Sequence, residues 1–143
     1  MDAPLQATCR ELVELLGADG CTLSRLLGDL LIEVAEYSPS GKRLQLGHGY
    51  LVSDFPLTRE VLEQRESRTV SVHDDKSEPN EAALLRELGF DSLLMLPLEA
   101  AGEAWGLIEI YACGERRFGE EDARLARPVL EVTGSLLAAR ETA

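Results

Sequence analysis

Residues 92–98 read SLLMLPL, and the four in a row from Leu93 to Leu96 are all apolar. A strand turns successive side chains to opposite faces. A strand apolar on both faces has to lie inside a sheet that is covered on both sides. This one segment therefore asks the rest of the chain for partner strands and for two separate covering layers. The 143 residues supply enough material for one such domain, spanning 1–143, and too little for two.

The partner strand is close by. Ala104 to Ala112 follows after a turn at Ala101-Gly102, and together they predict an antiparallel hairpin. A second hairpin is predicted from Cys21–Leu27 and Leu30–Tyr37, turning at Gly28-Asp29. Arg43 to Leu46 reads as a weaker third strand. Gly47 to Tyr50 and Ser53 to Pro56 read as loops. Thr69 to Val72 is a short strand, followed by a polar loop over 73–80. The covering layers come from helical periodicity. Leu5, Cys9, Leu12, Val13 and Leu16 mark a first helix over 3–16, stopped by Gly17. Short helices are predicted over 57–65 and 81–88, the latter stopped by Gly89. A long last helix starts near Phe118, with Pro128 expected to kink or break it. Strands and helices in this order make an α+β domain with a mostly antiparallel sheet.

Charge narrows the partners. Fourteen basic against 26 acidic residues leave a net charge of −12. Phosphate backbones and anionic lipid heads repel such a chain, so neither nucleic acid nor membrane is an expected partner. Cys9, Cys21 and Cys113 are odd in number and lack metal spacing, which suits a reducing cytoplasm rather than a disulfide framework. No signal-peptide pattern opens the chain. The phosphate-loop, nucleophile-elbow and dinucleotide motifs are all missing, so no enzyme class is indicated.

Three blocks carry a resemblance: PLTREVLEQRESRTVSV (56–72), EAALLRELGFDSLLMLPL (81–98) and GEAWGLIEIYACGERRFGEEDARLA (102–126). In this order and spacing the chain resembles a GAF domain, the sensory fold related to PAS domains. The likeness is strongest to bacterial GAF domains of histidine kinases and diguanylate cyclases. The resemblance implies a central six-stranded antiparallel sheet, with the terminal helices on one face and short helices and loops on the other. It implies a small-molecule pocket under those loops, homodimerisation through the first and last helices, and a fused or separate output domain. It names no cofactor. The implied pocket is lined from 50–55, 73–88 and 93–111. Its candidate ligand-binding residues are Tyr50, Phe55, His73, Asp74, Leu85, Met95 and Glu109.

Each candidate has a plainer reading. The sequence VHDD (72–75) places a histidine beside two carboxylates, but His48 lies in a separate loop and no third ligand converges for a metal. Loop solvation and helix capping, with Ser77 or Asn80 as the cap, account for it as well. Tyr50 and Phe55 would serve equally as loop anchors. Trp105, Leu107, Glu109 and Tyr111 alternate onto one strand face. There Glu109 is either a polar contact in a cavity or an exposed or structurally hydrogen-bonded group.

Specialised members of the family fit less well. The methionine-sulfoxide-reducing and bilin-binding types imply pocket cysteines, and 50–98 contain none. The cyclic-nucleotide type carries a Phe-x-x-x-Asp-Glu ending. Phe118 and Asp122 match it, but Ala123 stands where the Glu belongs. Haem would need His48 or His73 as axial ligand. The expected function is thus a sensory, regulatory binding module that holds a small molecule and passes occupancy on by ordering the loops at 47–56 and 73–80 and tilting the last helix. The alternative is a ligand-free dimerisation module whose cavity is filled by bulky residues such as Leu84, Met95 and Tyr111.

Overall fold

A computed structural model describes residues 2–44 and 48–142. Six strands form one sheet: β1 (Gly20–Leu27), β2 (Leu30–Tyr37), β3 (Gly49–Leu51), β4 (Arg68–Ser71), β5 (Ser92–Ala100) and β6 (Glu103–Ala112). Their order is β3-β2-β1-β6-β5-β4, and every pairing is antiparallel. Four helices cover it: α1 (Ala3–Leu16), α2 (Pro56–Gln64), α3 (Pro79–Leu88) and α4 (Glu120–Thr142).

The run at 93–96 behaves as its pattern requires. Leu94 and Leu96 join the outer core, where Leu5, Cys9 and Leu12 of α1 and Ala126 and Leu137 of α4 pack against Leu23, Ile108 and Ile110. Leu93 and Met95 join the inner core with Val61 and Leu62 of α2, Leu85 of α3, Leu107 and Tyr111. Leu94 and Met95 are both fully inaccessible, though they point to opposite sides. Each buried side chain of this size contributes about 1.5–3 kcal/mol by leaving water. The sheet is therefore held from both faces at once, and the terminal helices and the short helices take opposite faces.

Several local expectations need correction. Among the described residues the third strand is Gly49–Leu51, which pairs with Leu30–Ile32. Arg43 and Leu44 are not strand, because the Leu44 amide is taken by the Glu36 carboxylate at 2.5 Å. Gln45 and Leu46 lie outside the described residues. The cap of α3 is Glu78, whose carboxylate accepts the Glu81 amide at 2.7 Å. Ser77 accepts the Ser71 amide instead, and Asn80 donates to the Asp54 carbonyl. Helix α4 begins at Glu120, with Asp122 reaching back to accept the Gly119 amide. Of the kink or break expected at the exposed Pro128, no break occurs, for the helix runs on to Thr142.

Trp105 also leaves the face assigned to it. The pairing shifts between Leu98 and Glu99, so that Leu98 faces Gly106 while Glu99 faces Ala104. Trp105 is the extra residue of this bulge. Its indole packs on the outer core and donates to Glu141 of α4 at 3.0 Å, with the Arg25 guanidinium 5.0 Å above the ring.

Two glycines mark close backbone approaches. A Cβ on Gly134 of α4 would lie 2.2 Å from the Glu99 carbonyl oxygen of β5. Beside it Thr133 shares a 2.9 Å hydrogen bond with Thr8 of α1. A Cβ on Gly106 would lie 2.0 Å from the Ser24 carbonyl oxygen of β1. Gly106→Ala is expected to force β1 and β6 apart and to cost roughly 2–3 kcal/mol of stability, measured by urea unfolding.

Candidate ligand site on the inner face of the sheet

Strand alternation puts Leu107, Glu109 and Tyr111 of β6 on the inner face. The register then fixes their neighbours. Thr22 of β1 lies between Glu109 and Glu36, and Ser24 lies between Leu107 and Glu33. The irregularity opposite Leu23–Ser24 brings Glu33 and Glu36, three residues apart, to the same side. Val34 and Ala35 between them pack on the outer core. Glu81 enters from the first turn of α3.

The result is a polar cluster inside an apolar layer. Glu33, Glu81 and Glu109 are only 2–3 % exposed, and Ser24 and Thr22 not at all. Glu109 is well supplied with donors. The Tyr50 hydroxyl donates to its Oε1 at 2.5 Å, and the Tyr111 hydroxyl to its Oε2 at 3.3 Å. The Thr58 hydroxyl donates to Glu81 Oε1. Glu33 differs. Both of its carboxyl oxygens, and the Ser24 hydroxyl opposite, are buried without a hydrogen-bond partner among the described residues.

These surroundings disfavour charge. Burial, with the Glu109 and Glu36 carboxylates nearby, pushes Glu33 up to about 9, and the neighbouring Thr22 hydroxyl offsets this only in part. Burial and Glu109 raise Glu81 to about 8 against the easing effect of Thr58. Glu109 is also raised by burial, although the two tyrosine hydroxyls oppose the shift. Burial and the Glu109 charge raise both tyrosines.

Of the candidates from sequence, Tyr50, Leu85, Met95 and Glu109 meet in this layer. Met95 is the register partner of Glu109, and Leu85 shares its core cluster. Tyr50 is half-buried, its ring edge-on to Phe55 with centroids 5.3 Å apart. His73 and Asp74 are exposed and lie apart from the cluster. The Asp74 carboxylate accepts the Lys76 amide, closing the loop on itself. His73 Nε2 stands 3.7 Å from Asp91 Oδ1, the residue that also accepts the Gly114 amide. Among the described residues no cluster of His, Cys, Asp or Glu has the arrangement to hold a metal ion.

Glu33, Ser24 and Glu81 were not among the candidates. A signal for Glu33 exists in the sequence. It sits two residues after Leu31 in a strand whose Leu31 side faces the core, as Glu109 does after Leu107. Elsewhere, a groove of about 730 Å³ runs between α4 and the β4–β5 edge. Arg65, Arg68, Arg124 and Arg127 line it together with Glu66, Glu99, Glu120 and Glu131, so its charges cancel.

Comparison with known proteins places this geometry in a family. Residues 1–137 match the family described as GAF domain. No curated protein matches the chain. Among solved structures, the phycocyanobilin-bound GAF domain from a cyanobacterial phytochrome is 20 % identical, with a TM-score of 0.83 over 97 % of this chain and 86 % of that one. The chromophore-binding domain of a Stigmatella aurantiaca bacteriophytochrome, a mutant in the Pr state, is 22 % identical, with a TM-score of 0.78. That match covers 96 % of this chain, which spans only 55 % of the other. The chromophore-binding domain of an unusual bacteriophytochrome from R. palustris is 14 % identical, with a TM-score of 0.82 over 97 % and 56 % of the two chains. These likenesses concern the fold.

The raised carboxyls link stability to pH. The folded chain keeps protons on Glu33 and Glu81 that the unfolded chain releases above the ordinary value of 4.5. Stability therefore falls as pH rises from about 4.5 through 8 to 9. Urea unfolding should show a more stable protein at about pH 5.5 than at about pH 8.5. Glu33→Gln should narrow that difference and add roughly 1–3 kcal/mol at the higher pH.

Proposed function

Because the chain belongs to the GAF domain family, we propose that residues 1–143 form one sensory module of a bacterial signalling protein. It takes a small molecule against the inner face of its sheet and reports occupancy through its terminal helices. One observation carries this reading. Glu33 and Ser24 are buried beside each other with three acceptor oxygens unmet. Such atoms cost a structural core about 1–3 kcal/mol each and return nothing to it. A binding site uses them when the ligand arrives.

A route from this site to α4 is built into the sheet. Ser24 and Arg25 are consecutive on β1, and Glu109 and Trp105 share β6. Arg25 and Trp105 both reach Glu141 near the end of α4. A change in the spacing of β1 and β6 at the cluster would thus be felt by α4. The role is binding rather than catalysis. Cys9 and Cys21 lie in the outer core and Cys113 is exposed, so none of the three thiols belongs to the cluster. Free thiols suit a cytoplasmic protein, and no described helix is long and apolar enough to cross a membrane.

A second reading, the ligand-free dimerisation module, has its own support. Of the residues that reading names, Met95 and Tyr111 are buried in the inner layer, while Leu84 is half-buried. The exposed Leu125, Val132 and Leu136, with the partly buried Val129 between them, recur along α4 at alternating steps of four and three, the spacing of a helix–helix seam. Val132 is 72 % exposed and Leu15 of α1 is 45 % exposed. The two readings are compatible, since a dimer through this ridge would carry the output of a bound ligand.

Two measurements separate them. Screening metabolites and cofactors by thermal shift should find a compound that raises the melting temperature. That compound should slow hydrogen exchange at 48–56, 73–80 and in α4. A broad panel without any shift, together with a dimer by sedimentation, would leave only the interaction role. Val132→Glu combined with Leu136→Glu should turn the dimer into a folded monomer in sedimentation. An unchanged dimer would remove the ridge from the interface.

A further inference from the structure

Resting on the ligand-binding reading above, we propose that the inner face is a receptor for a small organic cation, an amidinium or ammonium group. Its donors are met by the carboxyl of Glu33 and the hydroxyl of Ser24.

The unmet atoms set the chemistry. Glu33 offers Oε1 and Oε2, and Ser24 offers Oγ, from neighbouring strands paired at those two residues. Glu33 is 2 % exposed and Ser24 is fully buried, so water does not reach either from the surface. When Glu33 is protonated, its carbonyl oxygen still lacks a donor and its hydroxyl lacks an acceptor. A planar group with two parallel N–H bonds answers both oxygens of a carboxylate at once.

The surroundings set the sign of the charge. Glu109 from across the sheet and Glu36 of the same strand act on Glu33, and Glu109 acts on Glu81 of α3. The basic groups nearest this layer have other partners. Arg68 of β4 is bound to Glu60 and Glu66, and Lys42 donates to the Leu88 carbonyl at 2.6 Å. Among the described residues lining this layer, a carboxylate or phosphate ligand would find no unpaired basic group. That includes the propionates of a bilin, so the residues present do not fit such a chromophore held by its carboxylates. A bare metal ion is equally unsuited, because the described acids do not converge as ligands. Aromatic rings share the layer. Tyr50 meets Phe55 at the half-buried edge beside β3, while Tyr111 stacks on Phe90 at 4.9 Å and Phe90 already carries the Lys42 ammonium 4.7 Å from its centroid.

Binding would also move a proton. The carboxyls that face the site are Glu33 and Glu36 of β2, Glu109 of β6 and Glu81 of α3, with the hydroxyls of Tyr50 and Tyr111 and the Cys9 thiol of α1 on the other side of the sheet. Glu33 is protonated in the free protein at neutral pH. A permanent cation expels that proton, so its affinity rises with pH until Glu33 is already ionised.

Acetamidinium, acetamide and acetate share one shape and carry positive, zero and negative charge, which makes them the test. Each is titrated into the labelled full chain and followed by NMR shifts at Ser24, Glu33 and Glu109. Acetamidinium should saturate these shifts at least about tenfold more tightly than either analogue. It should also bind more tightly at pH 8 than at pH 6. Glu33→Gln should weaken it by about tenfold, and Ser24→Ala by less, while both variants keep the spectrum of a folded sheet.

Equal binding of acetamide or acetate at these residues would overturn the cation class and leave the small-molecule site standing. Shifts confined to surface carboxylates such as Glu120 and Glu121, or no loss in Glu33→Gln, would overturn the assignment to Glu33. If acetamidinium leaves these residues unmoved while a compound from the thermal screen shifts them, the cation class fails and the site survives. If nothing moves them, both fail.

Discussion

Everything in this structure hangs on the antiparallel pairing of β5 with β6. Each strand is buried on both faces, so each must be supported from two directions. The pairing at Leu94–Ile110 serves the terminal helices, and the next pair, Met95–Glu109, serves the short ones. The hairpin cannot be half-formed in a stable state, because either face alone would leave leucines in water. It ties α1 and α4 to α2 and α3, although the two helix pairs share no core.

That double burial explains the price of the polar cluster. An apolar residue at Glu33 or Glu109 would seat the inner layer more firmly than the acids do. Glu109 is made tolerable by two tyrosine hydroxyls, one of them brought by the short edge strand β3. Glu33 has only the partial help of the Thr22 hydroxyl, and its proton is the substitute. On the strands flanking β1 the layer thus contains two acids with well-formed hydrogen bonds, Glu109 and Glu36, and one, Glu33, with none among the described residues, a contrast that apolar packing does not require.

The sheet was legible from sequence wherever its side chains obeyed a simple period. Leu93–Leu96 announced a strand covered on both faces, and Gly28-Asp29 and Ala101-Gly102 announced both hairpins. Legibility failed where a long-range partner decided the outcome. Leu44 lies in a segment that reads as a weaker strand, yet its amide belongs to Glu36, and Gly49–Leu51, in a stretch that reads as loop, pairs with β2. Trp105 was placed by alternation on the inner face, but a one-residue bulge turned it outward. Glu109 was visible as a carboxylate among apolar neighbours. Glu33 carried the same two-residue signal after Leu31, but the irregularity that follows it puts Val34 and Ala35 together on the outer side and blurs which face of β2 is buried. His73 and Asp74 drew notice by composition, which says nothing of direction, and they lie at the surface.

The glycine at 134 sets how α4 can respond to anything that happens beneath it. Its backbone lies so close to Glu99 that there is no room for a methyl group between helix and strand, and Thr133 fastens the neighbouring position to α1. A helix held this close to a strand at Gly134, with larger side chains to either side, resists sliding along it. Were the proposed ligand to shift β1 and β6 under Trp105 and Glu141, α4 would turn about this close contact as a lever turns about its fulcrum.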